Sequence, residues 1–192
     1  AKGCTTAIDF LDAVAAGKKI GLGRRVAVIG GGFTAVDSAR TARRLGAEEV
    51  YILYRRTRGE MPATSEEVDE AEAEGIKVMY LVSPKEILRS NGSVSALRMV
   101  NHVLAEPDAS GRRRPEEVEG TEFTLKVDTI ISAVSQKVGQ PEKELGVKVA
   151  RNRIATGDDG ARASAEGVFA AGDAATGPDS VIAAVAGGYN AA

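Results

Sequence analysis

The stretch from Val26 to Arg58 limits what this chain can fold into more than any other part of it. It opens with an apolar run, Val26–Ile29, and passes through Gly30-Gly31-Gly32 into a helix-like segment. It then returns to a second apolar run, Val50–Tyr54. Short continuous apolar runs of this kind suit strands buried on both faces, as in a parallel sheet with crossover connections. Between them, Ala35, Ala39, Ala42 and Gly46 fall at i, i+4, i+7 and i+11. That stripe of small residues lets a helix lie close against a sheet, and Gly46 stops the helix before the second run. The pattern is a βαβ half-unit, and Gly30, Gly32 and Ala35 match G-x-G-x-x-A within it.

Glycines at such a turn let a pyrophosphate approach the backbone, while the helix N-terminus offers N–H donors and the positive end of its dipole. Gly30, Gly31, Gly32, Phe33, Thr34 and Ala35 are therefore candidate nucleotide contacts. The competing reading is a tight turn that binds nothing. The residues after the second run choose the nucleotide. Arg55, Arg56 and Arg58 stand where an NAD site carries an acid for the ribose 2′-hydroxyl, and guanidinium groups suit a 2′-phosphate. The expected ligand is NADPH.

Composition removes several other chemistries. The 192 residues hold one cysteine, Cys4, and one histidine, His102, so an internal disulfide, a multi-cysteine metal centre and a His-based triad are out of reach. None of Tyr51, Tyr54, Tyr80 and Tyr189 has a lysine four residues on, which disfavours a short-chain-type dehydrogenase. No catalytic side chain and no metal ligand is expected. A net charge of −2 implies neither nucleic acid nor an anionic membrane as partner. The chain has no evident signal peptide or long apolar stretch, which points to the cytoplasm.

Along the rest of the chain, Thr5–Ala16 reads as an amphipathic helix. Thr64-x-x-Glu67 reads as a capping box opening an acidic helix over 65–74, whose carboxylates are expected to form a solvated face. Ile76–Val82 is a third parallel strand. From Glu86 to Val127, alternation and the Asn91-Gly92 turn predict an antiparallel meander, with His102 an ordinary face residue and Arg112–Arg114 a solvated loop tip. Asp128–Val134 rejoins the parallel sheet and brings Gln136 to its carboxyl edge. Gly167–Asp173 reads as a strand ending in Gly172-Asp173, and Ser180–Tyr189 as an apolar helix that something must cover. That junction aims the Asp173 carboxylate and the helix start at Ser180, Val181 and Ile182 toward one spot, suited to a sugar-like hydroxyl beside an anionic or carbonyl group.

Taken together, these motifs resemble the NADPH-binding domain shared by the glutamate synthase small subunit and dihydropyrimidine dehydrogenase, a family of flavin oxidoreductases. The resemblance rests on Val28–Asp37, on Tyr54–Ala63, on the loop Glu106–Pro115, and on Gly167–Asp173 with Thr176-Gly177-Pro178. It implies an α/β fold: a Rossmann-like three-layer NAD(P)-binding domain with a parallel sheet and an inserted antiparallel β-meander. It also implies pyrophosphate contacts from Gly30, Gly32, Thr34 and Ala35, and 2′-phosphate contacts from Arg55 and Arg56 helped by Arg58. A second cofactor, FAD, would meet Asp173 at its ribityl chain and Ser180, Val181 and Ile182 at its isoalloxazine. Phe33 stands where the family has Asn, and Val134-Ser135 replaces Ile-Gly before Gln136.

One glycine-rich turn is present where the family's full module has two, and the cysteine clusters of its iron–sulfur centres are missing. The expected organisation is a linker helix over 1–24 from a missing FAD domain, an NADPH-binding domain over 25–145, and a segment over 146–192 that contributes to the FAD-binding domain. The chain is expected to be a fragment, inactive alone. Its parent would pass hydride from NADPH to FAD, then electrons to iron–sulfur clusters or a partner subunit. The partner would be the missing N-terminal FAD/iron–sulfur region or a large subunit. The alternative is a non-catalytic nucleotide-binding regulatory or interaction domain.

Overall fold

A computed structural model of the chain describes residues 2–107, 113–134 and 141–192. The chain divides into two compact units after Val134. In the first, β1 (Cys4–Thr6), α1 (Ala7–Ala15), β2 (Arg25–Ile29), α2 (Phe33–Arg44), β3 (Glu49–Tyr54), α3 (Ser65–Ala73) and β4 (Lys77–Tyr80) follow in order. Next come β5 (Val82–Ser90), β6 (Ser93–Pro107), β7 (Arg113–Glu117), β8 (Phe123–Lys126) and β9 (Thr129–Ser132). A wholly parallel five-stranded sheet has the order β1-β9-β2-β3-β4, with Val28 facing Ile52 on one side and Ile131 on the other.

Alternation along these strands divides the core into two layers. Val26, Val28, Val50, Ile52 and Ile131 point to the helices, where they meet Phe10, Ala35, Val36, Ala39 and Ala42. Ala27, Leu53 and Ile130 point the other way, onto Val82, Val94, Leu97, Met99 and Val127 of the meander and its return. Both faces of the central strands are thus dry, which is why they read as unbroken apolar runs. The meander is antiparallel, with β6 pairing β5, β7 and β8. Asn91 (φ 51°) and Gly92 (φ 76°) turn β5 into β6 in the left-handed conformation that such a two-residue hairpin needs. The three layers and the inserted meander are those expected from the sequence.

Several elements differ from the sequence reading. Thr5 and Thr6 do not begin a helix. They extend β1 along β9, with Cys4 beside Ile130, and Thr6 then caps α1 by accepting a bond from the Asp9 N–H at 3.2 Å. The carboxylates of α3 are not simply solvated. Glu74, the C-cap just past the helix, receives Arg40 and Arg44, Glu70 receives Arg40, and Asp69 and Glu72 receive Arg58. His102 is buried, with its ring 3.5 Å from the Ser83 hydroxyl. The expected tip at Arg112 lies outside the described residues, while the Arg113 guanidinium folds back onto the carbonyls of Leu104 and Ala105.

The second unit has α4 (Pro141–Glu144), a two-residue hairpin β10 (Val149–Ala150) with β11 (Arg153–Ile154), α5 (Asp173–Thr176) and α6 (Val181–Ala191). Gly167–Ala171 is not a continuous strand. Phe169 makes one isolated bridge, to Arg162, and among the described residues no longer run lies beside it to pair with.

Candidate functional site

The order of strands reverses at β2, with β3 on one side and β9 on the other, and ligands of open α/β sheets bind at the carboxyl end of such a switch point. The three glycines sit there and do different work. Gly30 (φ 144°) passes so close to the Ala133 carbonyl that no side chain fits. Gly31 lies under the Tyr54 ring, where a Cβ would stand 2.5 Å from a ring carbon. Gly32 has ordinary backbone angles, and a Cβ there would meet nothing nearer than Pro62 at 3.9 Å. Its bareness serves no packing need within the chain. Gly32 is also the N-cap of the 12-residue α2 and brings no side-chain acceptor, so the first-turn N–H groups of Phe33 and Thr34 are left to an acceptor from outside. Phe33 is exposed and Thr34 half-buried beside this opening, whereas Ala35 is fully buried against the sheet.

The arginines after β3 also separate. Arg55 is exposed and has no ion-pair partner among the described residues. Arg56 is 9% exposed, and its Nε is buried without a hydrogen-bond partner. Arg58 is turned to α3: its guanidinium bonds Glu72 at 2.9 Å, Asp69, and the Ser65 carbonyl at 3.2 Å. The structure therefore brings Arg55 and Arg56 to the strand end and commits Arg58 to a helix.

Between them the chain forms a tight loop. Thr57 and Glu60 make a reciprocal cap, the Glu60 carboxylate accepting from the Thr57 hydroxyl at 2.6 Å and from its N–H at 3.0 Å. The Thr57 hydroxyl bond, with smaller help from the Thr57 N–H and the charges of Arg113 and Arg56, holds the Glu60 carboxyl below the usual range. Sequence reasoning missed this cap although Thr57-x-x-Glu60 has the spacing that signals one. Farther on, the Ala63 N–H donates to the Gly31 carbonyl at 3.1 Å, so the loop closes back on the glycine turn.

In the second unit a cleft of about 610 Å³ is lined by Ala171–Asp173 and Asp179–Val181, with Ala184 and Val185 also on its wall. Gly172 (φ 58°) and Gly187 allow the backbone of α6 to approach the Gly-Asp turn. Ser180 caps α6 through its hydroxyl, which accepts from the Ala183 N–H at 3.2 Å. Asp173 is exposed, and Val181 and Ile182 turn their side chains outward. Gln136 lies outside the described residues. Among the described residues no three His, Cys, Asp or Glu side chains gather to hold a metal, and no helix is long and apolar enough to cross a membrane.

Residues 1–188 match the profile of the family described as pyridine nucleotide-disulphide oxidoreductase. The chain belongs to that family. Among the relatives of this pyridine nucleotide-disulphide oxidoreductase chain is the NADPH-Fe(3+) oxidoreductase subunit beta of Geobacter sulfurreducens, 41% identical over 96% of the chain and 31% of the relative. The NADP(+)-dependent formate dehydrogenase subunit beta of Moorella thermoacetica is 43% identical over 88% of the chain and 24% of the relative. The glutamate synthase [NADPH] small chain of Escherichia coli is 40% identical over 88% and 38%. The chain thus spans 24–38% of the length of these three relatives, and the resemblance to the glutamate synthase small subunit holds. Lactococcus lactis thioredoxin reductase shares the fold, with a TM-score of 0.71 at 23% identity over 99% of this chain and 55% of that one. So does Mycobacterium tuberculosis FprA, solved in complex with NADPH, with a TM-score of 0.66 at 20% identity over 88% and 50%.

Proposed function

We propose that the chain is the NADPH-binding part of a flavin-dependent oxidoreductase, and that its second unit supplies part of the FAD site. The observation that carries this is the open N-terminus of α2 at Gly32, together with the two arginines that end β3. The residues fit the dinucleotide. Gly32 leaves space that no side chain of the protein uses, Phe33 and Thr34 present N–H groups to a pyrophosphate, and Arg56 has a buried Nε with no partner. Arg55 and Arg56 take the 2′-phosphate. Arg58, already held by two carboxylates, shapes the loop.

When bound, NADPH supplies a hydride and FAD accepts it, so the chain's own task is to hold and orient. In the second unit, Asp173 accepts hydrogen bonds from ribityl hydroxyls, and the start of α6 at Ser180, Val181 and Ile182 sets a positive dipole end beside the flavin ring. The remainder of the FAD site and the onward path of electrons, to iron–sulfur clusters or a partner subunit, belong to regions outside these residues. The length of the relatives supports that division.

Calorimetric titration with NADP+ and NAD+ tests the reading. The expected result is a clear preference for NADP+, cut by about tenfold or more in Arg55→Ala and again in Arg56→Ala, since hydrogen bonds to charged groups are worth about 1.5–3 kcal/mol. Equal affinity for the two dinucleotides overturns it.

A further inference from the structure

We propose that Tyr54 is a positioning residue that locks the glycine turn and the arginine-bearing loop into one rigid dinucleotide cradle. Tyr54 ends β3, directly before Arg55 and Arg56, and reaches both halves of the candidate site at once. Its ring covers Gly31 so closely that a Cβ on that glycine would stand 2.5–2.9 Å from three ring carbons. Its hydroxyl donates to the Glu60 carbonyl at 2.6 Å. Glu60 is in turn bonded to Thr57 through the reciprocal cap, so the hydroxyl bond fixes the loop one residue beyond the arginine pair. The circuit closes through the Gly30 N–H donating to the Leu53 carbonyl and the Ala63 N–H donating to the Gly31 carbonyl, both at 3.1 Å.

The two ends of Tyr54 therefore have separable duties. The ring sets the height of Gly31, and with it the backbone that meets the pyrophosphate common to all dinucleotides. The hydroxyl sets where the loop leaves Arg56, and with it only the part of the site that meets a 2′-phosphate. Guanidinium recognition of phosphate depends on the fork being held in place, so a loosened loop weakens it even with every charge retained.

This inference rests on the NADPH reading above, and the test separates the two. Affinities of the 192-residue chain for NADP+ and NAD+ are measured by calorimetry in wild type, Tyr54→Phe and Tyr54→Leu, beside thermal unfolding of each. Tyr54→Phe keeps the ring on Gly31 and removes the hydroxyl that donates to the Glu60 carbonyl. It is expected to weaken NADP+ by about fivefold and to leave NAD+ and the unfolding midpoint little changed. Tyr54→Leu loses the ring as well and is expected to weaken both dinucleotides. An NADP+/NAD+ ratio in Tyr54→Phe equal to that of wild type overturns the proposal alone. So does equal weakening of both, which is what a purely structural tyrosine would give. A wild-type chain without preference for NADP+ overturns the nucleotide reading and this proposal with it.

Discussion

Gly31 and Gly32 are adjacent, yet a methyl group added to each meets different surroundings. At Gly31 it meets the Tyr54 ring at 2.5 Å, so Gly31→Ala must displace a ring held at its far end by Glu60. Overpacking of this kind costs about 1–3 kcal/mol, and urea unfolding should record it as a lower midpoint. At Gly32 it makes only an ordinary contact, with Pro62 at 3.9 Å, and the backbone angles are ones that alanine adopts freely. Gly32→Ala should lower stability by no more than about 1 kcal/mol, alanine being the poorer N-cap, while weakening NADP+ in calorimetry, because the added carbon stands where the pyrophosphate approaches. A stable Gly32→Ala with full affinity would remove the phosphate from that spot. The sequence presents the three glycines as one motif. It cannot divide them, because the division depends on Tyr54 and Ala133, residues brought near only by strand pairing. Arg58 is the same case: in sequence it is one of three clustered cations, and only the packing of α3 reveals the carboxylates it serves.

The junction of β9 with β2 turns on a single carboxylate at the scale of elements. Asp128, just before β9, accepts from the backbone N–H groups of Arg24 at 3.1 Å and Arg25 at 2.9 Å, and pairs with the Arg25 guanidinium at 2.9 Å. The Arg25 side-chain bond foremost, then those N–H groups, hold its carboxyl below the ordinary value near about 3.9. A carboxyl lowered in the folded state stabilises fully above the unfolded value and loses that contribution as pH falls through the folded one. Asp128→Asn should therefore lower stability by about 1–3 kcal/mol at neutral pH. The difference from wild type should shrink below about pH 4, as denaturant midpoints across a pH series would record. A gap constant down to the acid limit would deny the carboxylate this role. Elements with a local signal were legible in the sequence: the Ala35, Ala39 and Ala42 stripe, the Thr64 capping box of α3, and the Asn91-Gly92 hairpin. β1 had none, being three residues whose partners, Ile130–Ser132, lie at the other end of the unit's sequence. The reverse holds for Gly167–Ala171, where the strand-like residues are present but no long partner run lies beside them in the described residues.

For the molecule as a whole, the two units differ in how far each closes its own core. The first buries the helix side and the meander side of its sheet, with Val26, Val28, Val50 and Ile52 sealed from solvent. In the second, α6 has no buried residue, and Val181, Ile182 and Tyr189 are 80%, 81% and 81% exposed. The sequence announced an apolar helix needing cover, and its own unit does not supply that cover. Backbone protection follows buried packing, so this asymmetry should appear in hydrogen exchange. Amides of β2, β3 and β9 should exchange only when the first unit unfolds as a whole, while those of α6 exchange through local opening. On the proposed function the cover is FAD with the rest of its domain, so added FAD should leave this chain on gel filtration while NADP+ protects the turn from Gly30 to Ala35. The decisive comparison places the chain within a longer protein that carries the flavin domain of the proposed function: there α6 should become as slow to exchange as β2. If α6 is already as protected as β2 in the 192-residue chain, its apolar face needs no cover, and the assignment of the second unit to a flavin site fails.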